Sequence, residues 1–360
     1  MIRRSSLVAA LVLSLALVAG ACSSSKSSTS TSGGSNTNTT AVGASDSATL
    51  SGAGSTFVNT ILQEWVKSYK SVAPNVTINY QGVGSGAGIQ QLTGKTVDFA
   101  GSDVALKPDE AAKLGGADAT LQIPWIAGGI AVEYNLSGVS NLKLSGGTLA
   151  GIFAGKIKKW NDAAIKADNS GSSLPSTAIQ IVHRSDGSGT TSVFTSYLTA
   201  VAPTTWTYGA SKDVPWPTGT GAKGSDGVTA AVKQTPGAIG YAEVSYPKNT
   251  PGLGIALIKN GGGQYVGPTA DAVKAALATA TPNADGTLKI NYTPTDAAAY
   301  PISTTTYVLF SKTGLAAGKL TALKHFVAWV LGDGQKMAPD LDYAALPQTI
   351  IDKALAAVTA

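Results

Sequence analysis

The sequence is poor in the residues that most catalytic and metal sites use. Its 360 residues include one cysteine, Cys22, and two histidines, His183 and His325. A single cysteine excludes an intrachain disulfide and a thiolate metal site, and two histidines are few for a metal centre or a catalytic triad. There is also no G-x-S-x-G nucleophile elbow and no Walker-type lysine. We therefore expect no catalysis, metal or cofactor, which favours a binding protein.

Charge is also scarce. Charged residues make up 13% of the chain, and the formal net charge is +5. The lysines are scattered, and the one dense basic cluster, KIKKW at 156–160, is typical of a solvated loop. Nucleic-acid-binding domains concentrate basic residues on one face, so we expect no nucleic-acid partner.

The amino terminus has a basic start followed by an apolar stretch. Arg3 and Arg4 precede residues 7–21, which are almost entirely apolar. This stretch of about 15 residues is shorter than the roughly 20 that a membrane-spanning helix needs, and it predicts a secretory signal peptide over residues 1–21. The small residues before Cys22 resemble the lipobox of bacterial lipoproteins. Cys22 is thus expected to carry a lipid anchor, and a cleaved signal with an incidental thiol is the alternative.

Residues 22–45 are rich in Ser, Thr, Gly and Asn and predict a flexible tether. The remaining length is more typical of two domains than of one. Patterns of period 2 and period 3.6 alternate along it, which predicts an α/β fold with largely parallel sheets. Strands are expected at 76–80, 97–100, 179–183 and 238–244, and helices from Phe57 to Tyr69 and at 108–114, 191–200 and 320–331.

Turns rich in Gly, Ser and Thr lead from a predicted strand to a predicted helix at four places. They are LSGAGSTF (50–57), GVGSGAG (82–88), GSDVALKP (101–108) and HRSDGSGTT (183–191). Helix starts present free N–H groups that bind anions. Arg184 would add a positive charge, which Asp186 can orient, so together the turns indicate an anion site.

Each turn alone has a simpler interpretation. Ordinary helix capping is the alternative for four hydroxyl residues, Ser55, Thr56, Ser85 and Ser188. Capping of the helix at Asp109 is the alternative for Asp103. The turn at 82–88 matches a dinucleotide-binding pattern, but no acidic residue ends a credible strand about 20 positions later.

Eight segments resemble the phosphate-binding lipoproteins of bacterial ABC-type phosphate uptake systems. They are GAGSTF, YQGVGSGAGIQQL, TVDFAGSD, GKIKKWND, HRSDGSGTTSVFTSYL, PGAIGYAE, YPISTTTYVLF and LDYAALP, in the order of that family. The resemblance implies a periplasmic-binding-protein type II-like fold: two α/β lobes, a central ligand cleft and two crossing strands. Lobe 1 would span 46–126 plus 299–360 and lobe 2 would span 127–298, with hinges near 128–129 and 300–301.

The same resemblance assigns the phosphate ligands. They would be Thr56, Phe57, Ser85, Asp103, Arg184, Ser188, Gly189 and Thr190, with Asp186 orienting the arginine. One departure follows Phe57, where Val58, Asn59 and Thr60 replace a proline-containing PAP that is frequent in the family. This departure puts the exact helix start in doubt.

The resemblance implies a monomeric, extracytoplasmic, lipid-anchored receptor that delivers phosphate to an ABC permease. Asp103 would be the discriminating group, because phosphate keeps a proton and can donate a hydrogen bond to a carboxylate, whereas sulfate cannot. Arsenate also keeps a proton and satisfies the same argument. Two other classes stay open: a surface adhesin with the same fold, and a secreted phosphate-ester hydrolase that uses Ser188 or Asp186.

Overall fold

A computed structural model describes residues 43–360. The predicted signal peptide, Cys22 and most of the tether lie outside the described residues. The strands are β1 Ala48–Gly54, β2 Val76–Gly82, β3 Phe99–Ser102, β4 Thr120–Tyr134, β5 Lys143–Leu144, β6 Gln180–Arg184, β7 Thr220–Ala222, β8 Ala238–Glu243, β9 Gly254–Ile255, β10 Leu257–Lys259, β11 Tyr265–Val266, β12 Thr281–Pro282, β13 Leu288–Lys289 and β14 Ser303–Ser311.

The helices alternate with these strands over much of the chain. They are α1 Asn59–Tyr69, α2 Ser85–Thr93, α3 Pro108–Ala112, α4 Gly146–Phe153, α5 Ala163–Asp168, α6 Gly189–Val201, α7 Gly224–Gln234, α8 Ser245–Lys248, α9 Ala270–Leu277, α10 Ala317–Leu331 and α11 Gln348–Thr359. Two 3-10 segments, Asp333–Met337 and Pro339–Leu341, lie between α10 and α11. The strands and helices expected from sequence periodicity are confirmed within a few residues.

One mixed sheet carries the fold, in the order β2-β1-β3-β14-β4-β8-β6-β7, with β9 also paired to β4. The pairs β1–β2, β1–β3, β6–β7 and β6–β8 are parallel. Strands β14 and β4 run antiparallel to each other in the middle. Two small sheets, β11-β10-β5 and β12-β13, lie off this sheet. The expected α/β class is therefore confirmed. The prediction of largely parallel pairing is wrong, because β14 also pairs antiparallel with β3, and β4 pairs antiparallel with β8 and β9.

Strand β4 changes partner along its length. Gly129 pairs with Ser303 of β14, and the next residue, Ile130, pairs with Glu243 of β8. Neighbouring Gly128 lies under the Phe57 ring, where an added Cβ would come within 2.7 Å of the ring carbon Cζ. Only glycine leaves room for the ring here, so β4 and the segment before α1 pack directly on each other.

Two helices cover the β1–β3 side of the sheet. Helix α1 buries Ile61, Trp65 and Tyr69, and α10 buries an apolar stripe of Leu323, Phe326, Val327, Val330 and Leu331. The ring centroids of Tyr69 and Phe326 are 5.1 Å apart, in an edge-to-face arrangement. Each fully buried side chain of this size contributes about 1.5–3 kcal/mol, so the contact fixes α1 and the loop before it.

Candidate functional site

The carboxyl ends of β1, β3 and β6 and the starts of α2, α6 and α7 meet at one place. The Oγ1 atom of Thr190 is 3.1 Å from Oδ2 of Asp103, and the amide of Gly86 donates to the carbonyl of Gly187 at 2.7 Å. The parallel strands β1 and β3 place their carboxyl ends at one edge of the sheet, where α/β proteins bind ligands. Strand β6 runs opposite to them, because three antiparallel pairs separate it from β3, so its carboxyl end reaches the site from the other half of the sheet. The four predicted turns thus come together through contacts between residues as far apart in sequence as Gly86 and Gly187.

Asp103 lies at the centre of this cluster and is 3% exposed. Ser55 Oγ donates to Oδ1, Thr190 Oγ1 donates to Oδ2, and the Asp103 amide donates to Ser85 Oγ at 3.3 Å. Burial raises the pKa of the carboxyl, against the hydrogen bonds of Ser55 and Thr190 and the charge of Arg184. The cap of α3 is Lys107, so the capping interpretation of Asp103 is wrong.

Arg184 and Asp186 form a two-bond ion pair. Nε of Arg184 donates to Oδ1 of Asp186 at 2.7 Å, and Nη2 donates to Oδ2. Burial lowers the pKa of the guanidinium, but the hydrogen bond and charge of Asp186 reverse this, so the net pKa is raised. The pKa of Asp186 is lowered: burial opposes the shift, and the Arg184 hydrogen bond and charge outweigh it. Asp186 therefore orients the guanidinium of Arg184, as expected from the sequence.

The start of α6 lies against Asp103. A Cβ at Gly189 would come within 2.5 Å of Ser85 Oγ and 2.7 Å of Asp103 Oδ2, so only glycine fits. Ser188 is the N-cap of α6, and its Oγ accepts from the Thr191 amide at 3.0 Å. For Ser188 the capping interpretation is therefore correct. For Ser85 it is wrong, because Gly84 is the N-cap of α2 and no side chain caps that helix.

Thr56 and Phe57 lie beside α7 and the C-terminal segment. Thr56 Oγ1 accepts from the Ser225 amide at 3.1 Å and lies 3.0 Å from Ser225 Oγ. The Phe57 amide donates to Ser55 Oγ at 3.0 Å, and its carbonyl accepts from Tyr343 OH at 2.6 Å. Tyr343 OH also lies 3.0 Å from Oε2 of Glu243. Helix α1 begins only at Asn59, which resolves the doubt about its start.

All predicted ligand residues lie in this one cluster, but several of their polar groups already bond to protein. Sequence reasoning missed two residues, Ser225 and Tyr241. Tyr241 OH accepts from the Arg184 amide at 3.2 Å and lies 2.6 Å from Thr191 Oγ1. Ser225 belongs to KGSDG at 223–227, a fifth strand-glycine-helix turn. The Gly224 amide in that turn donates to Asp186 at 3.0 Å.

The cluster has one guanidinium, two carboxylates, several hydroxyls and helix-start amides. Helix starts and planar guanidinium groups suit tetrahedral oxyanions, and a carboxylate suits a ligand that still carries a proton. Among residues 43–360 no group of three or more His, Cys, Asp or Glu side chains is placed to hold a metal ion. Within the same range, no helix is long and apolar enough to cross a membrane.

A central mixed sheet with an anion-type site at its strand ends defines an α/β substrate-binding protein. Residues 38–333 match the family described as the PBP superfamily domain. The chain is 40% identical over 314 residues to the phosphate-binding protein PstS of Pasteurella multocida, covering 86% of this chain and 89% of that protein. It is 36% identical over 353 residues to the phosphate-binding protein PstS 3 of Mycobacterium tuberculosis, covering 96% and 95%.

Solved structures share the fold. A phosphate-binding protein from Stenotrophomonas maltophilia has a TM-score of 0.67 at 21% identity, over 86% of this chain and 94% of that one. A substrate-binding protein with bound phosphate from Clostridium perfringens has a TM-score of 0.61 at 19% identity, over 83% and 100%. The chain belongs to the PstS family of phosphate-binding proteins, within the PBP superfamily, and the family expected from the eight segments is confirmed.

Proposed function

We propose that the chain is a receptor for inorganic phosphate that delivers its ligand to an ABC-type permease. The observation that carries the proposal is Asp103, a buried carboxylate beside Arg184 and the start of α6. A carboxylate that faces the anion can be satisfied only by an oxyanion that still carries a proton and donates a hydrogen bond to it. The names of the relatives, phosphate-binding proteins, support the same ligand.

The charge balance fits such a ligand. Asp186 partly neutralises Arg184 and leaves Nη1 to reach the anion, since Nε and Nη2 both bond to the carboxylate. Most of the attraction would then come from amide and hydroxyl dipoles rather than net charge. Sulfate has no proton for Asp103, and burying an unpaired polar group costs about 1–3 kcal/mol, more when it is charged. Preference for phosphate over sulfate follows.

We further propose two lobes, 46–126 plus 299–360 and 127–298, that close on the ligand. The change of partner at 129/130 in β4 supports a crossing there. The predicted ligands would then divide between the lobes, four from each. Closure about residues 128–129 and 300–301 would bring Asp103 and Thr190 together.

Delivery to a permease requires a position outside the cytoplasm. The predicted signal peptide and a lipid on Cys22 would supply that position, with the tether lifting the receptor off the membrane as a monomer. Radiolabelled palmitate incorporation into the wild-type chain and its absence in Cys22→Ser would test the anchor. Incorporation into both chains would contradict it.

Calorimetric titration with phosphate, sulfate and nitrate tests the ligand. We expect a dissociation constant around the micromolar range or tighter, about −8 kcal/mol or better, with phosphate strongly preferred. No heat and no change in Tm with phosphate would contradict the proposal.

We propose binding without catalysis. An assay of phosphate release from a model ester, without added metal, is expected to show no turnover, and turnover lost in Ser188→Ala would support the hydrolase instead. Slow growth of a deletion strain under phosphate starvation is expected of a transport receptor, whereas unchanged growth would favour the adhesin.

A further inference from the structure

Ser55 lies between two of the proposed ligand residues. The side chain is 1% exposed. Its Oγ donates to Oδ1 of Asp103 and accepts from the Phe57 amide at 3.0 Å. The Ser55 amide donates to the Gly101 carbonyl at 2.8 Å, and the Ser55 carbonyl accepts from Tyr80 OH at 2.9 Å. The backbone is thus held on both sides, which fixes the direction of the hydroxyl.

The count of protons determines what this hydroxyl does. A serine hydroxyl has one proton to donate, and the Phe57 amide brings its own proton to the bond with Oγ. The Ser55 proton is therefore directed to Oδ1 of Asp103, while Thr190 Oγ1 directs a second proton to Oδ2. Two donors, one on each oxygen, bond more strongly to a carboxylate than to a neutral carboxyl, and each oxygen keeps a lone pair for a further donor. Hydrogen bonds of this kind favour the charged form.

The hydrogen bond from Ser55 shifts the pKa of Asp103 in the direction opposite to the shift that burial causes. Taking Asp103 out of water favours the neutral form and raises its pKa, and the Ser55 hydrogen bond is the largest influence in the other direction, ahead of Thr190 and Arg184. Around the carboxyl, the described titratable groups that face it are Arg184 from β6 and Tyr80 from β2. The side chains that face it from the loop after β1, α2, α6 and β14 are neutral: Ser55, Ser85, Thr190 and Thr306.

We propose that Ser55 is a positioning residue that keeps Asp103 ionised and aimed at the ligand, and so sets the acid limit of phosphate selectivity. The selectivity part rests on the proposed phosphate function. A neutral Asp103 could donate a hydrogen bond to sulfate and would no longer need a hydrogen bond from the O–H of phosphate. Without the Ser55 hydroxyl, that loss of discrimination begins at a higher pH.

Ser55→Ala removes the hydroxyl, and Ser55→Thr restores one. Ser102→Ala is the matched control, because Ser102 is a buried serine of neighbouring β3 whose hydroxyl bonds to Val104 and not to Asp103. Ser55→Gly replaces Ser55→Ala if the alanine chain does not fold.

The first measurement needs no ligand. Carbon-13 NMR of carboxyl-labelled aspartate follows the titration of Asp103, whose signal is assigned by its loss in Asp103→Asn. We expect the midpoint to rise by about one pH unit in Ser55→Ala, to return in Ser55→Thr and to stay in place in Ser102→Ala. An unchanged midpoint in Ser55→Ala overturns the proposal whether or not the protein binds phosphate.

The second measurement is calorimetry with phosphate and sulfate over a pH series. As the pH is lowered, the ratio of the sulfate dissociation constant to the phosphate dissociation constant is expected to fall in both chains. In Ser55→Ala, a fall of about tenfold should occur at a pH about one unit higher than in the parent chain. A ratio that falls at the same pH in both chains overturns the role in selectivity. A parent chain that binds neither anion contradicts the proposed function and with it that role, but leaves the NMR test of ionisation intact.

Discussion

Two buried acids, Asp103 and Glu133, differ in the hydrogen bonds that their carboxyl groups receive. Asp103 receives hydroxyl donors on both oxygens, from Ser55 and Thr190, and lies near a guanidinium. Glu133 on β4 is 0% exposed, but only its Oε1 has a partner, Thr229 at 3.1 Å, and its Oε2 has none. Burial raises the pKa of Glu133 to about 8. Both acids are buried, and the acid of the binding site differs from Glu133 in having a hydroxyl donor on each oxygen.

Removing the guanidinium should have the largest effect on binding. Arg184→Ala strands Asp186 without its partner, and truncating one member of a buried charge pair costs about 3–5 kcal/mol. We expect phosphate titration to show a loss of several hundredfold or more. Lys67→Ala, which breaks an exposed ion pair with Glu64, is the control and should bind as the parent does. Unchanged affinity in Arg184→Ala would mean that the site lies elsewhere.

Changing the carboxyl of Asp103 should alter selectivity more than fold. Asp103→Asn replaces one acceptor by a donor, so sulfate loses a repulsive contact and phosphate loses a bond. We expect the phosphate-to-sulfate preference to narrow by about 1–3 kcal/mol, measured as the ratio of the two dissociation constants at one pH. A variant that still discriminates as the parent does would refute the carboxylate argument.

Glu133 provides the other half of the comparison. Its pKa is about 8 in the folded chain against an ordinary value of 4.5, so over that interval the folded state binds more protons than the unfolded state. The free energy of unfolding should therefore fall as pH rises from about 4.5 to about 8, by up to about 1.4 kcal/mol per pH unit. The contribution of protonated Glu133 to the free energy of unfolding is fully present below pH 4.5 and is lost as the pH rises through 8.

Urea unfolding of Glu133→Gln over this pH range should show a flatter dependence, because the amide does not titrate. Glu64→Gln, at a side chain 42% exposed, should keep the dependence of the parent. A parent and a Glu133→Gln variant with parallel curves would show that Glu133 ionises at its ordinary pKa.

The smallest effect is expected at the rim of the site. Lys212 and Glu110 form an ion pair of 2.8 Å with side chains 13% and 17% exposed, which joins α3 to the segment before β7. Pairs that water still reaches contribute little, so Glu110→Gln should weaken phosphate binding by less than about 1 kcal/mol. Phosphate titration of both chains at low and high salt measures this loss of affinity, and the difference between the two chains should be smaller at high salt. A larger loss of phosphate affinity would show that this ion pair behaves as a buried charge pair.

The sequence predicts much of the fold because its glycine-rich turns and apolar periods are local signals. The parallel strands β1, β2 and β3 place their carboxyl ends at one edge, so the meeting of Asp103 and Ser85 could also be anticipated. The approach of Arg184 does not follow from strand direction, because β6 runs opposite to those strands. The contact of Thr56 with Ser225 could not, since it joins positions 169 residues apart and depends on how α7 packs. The capping role of Ser188 was foreseen only as an alternative, because capping and ligand binding use the same residue types at the same helix position.

Tyr343 connects the far end of the polypeptide to the loop before α1. Its phenol bonds to the Phe57 carbonyl, and the residue after it forms a bridge with Ala127 of β4. Anyone who shortens this protein to build a phosphate sensor should therefore keep the chain through Ala344, and should keep α11 as well because its Ile351, Ala354 and Val358 are buried in the core. A reporter dye attached downstream of that point would be free of the binding loop, whereas a cut upstream would leave the Phe57 carbonyl without its donor.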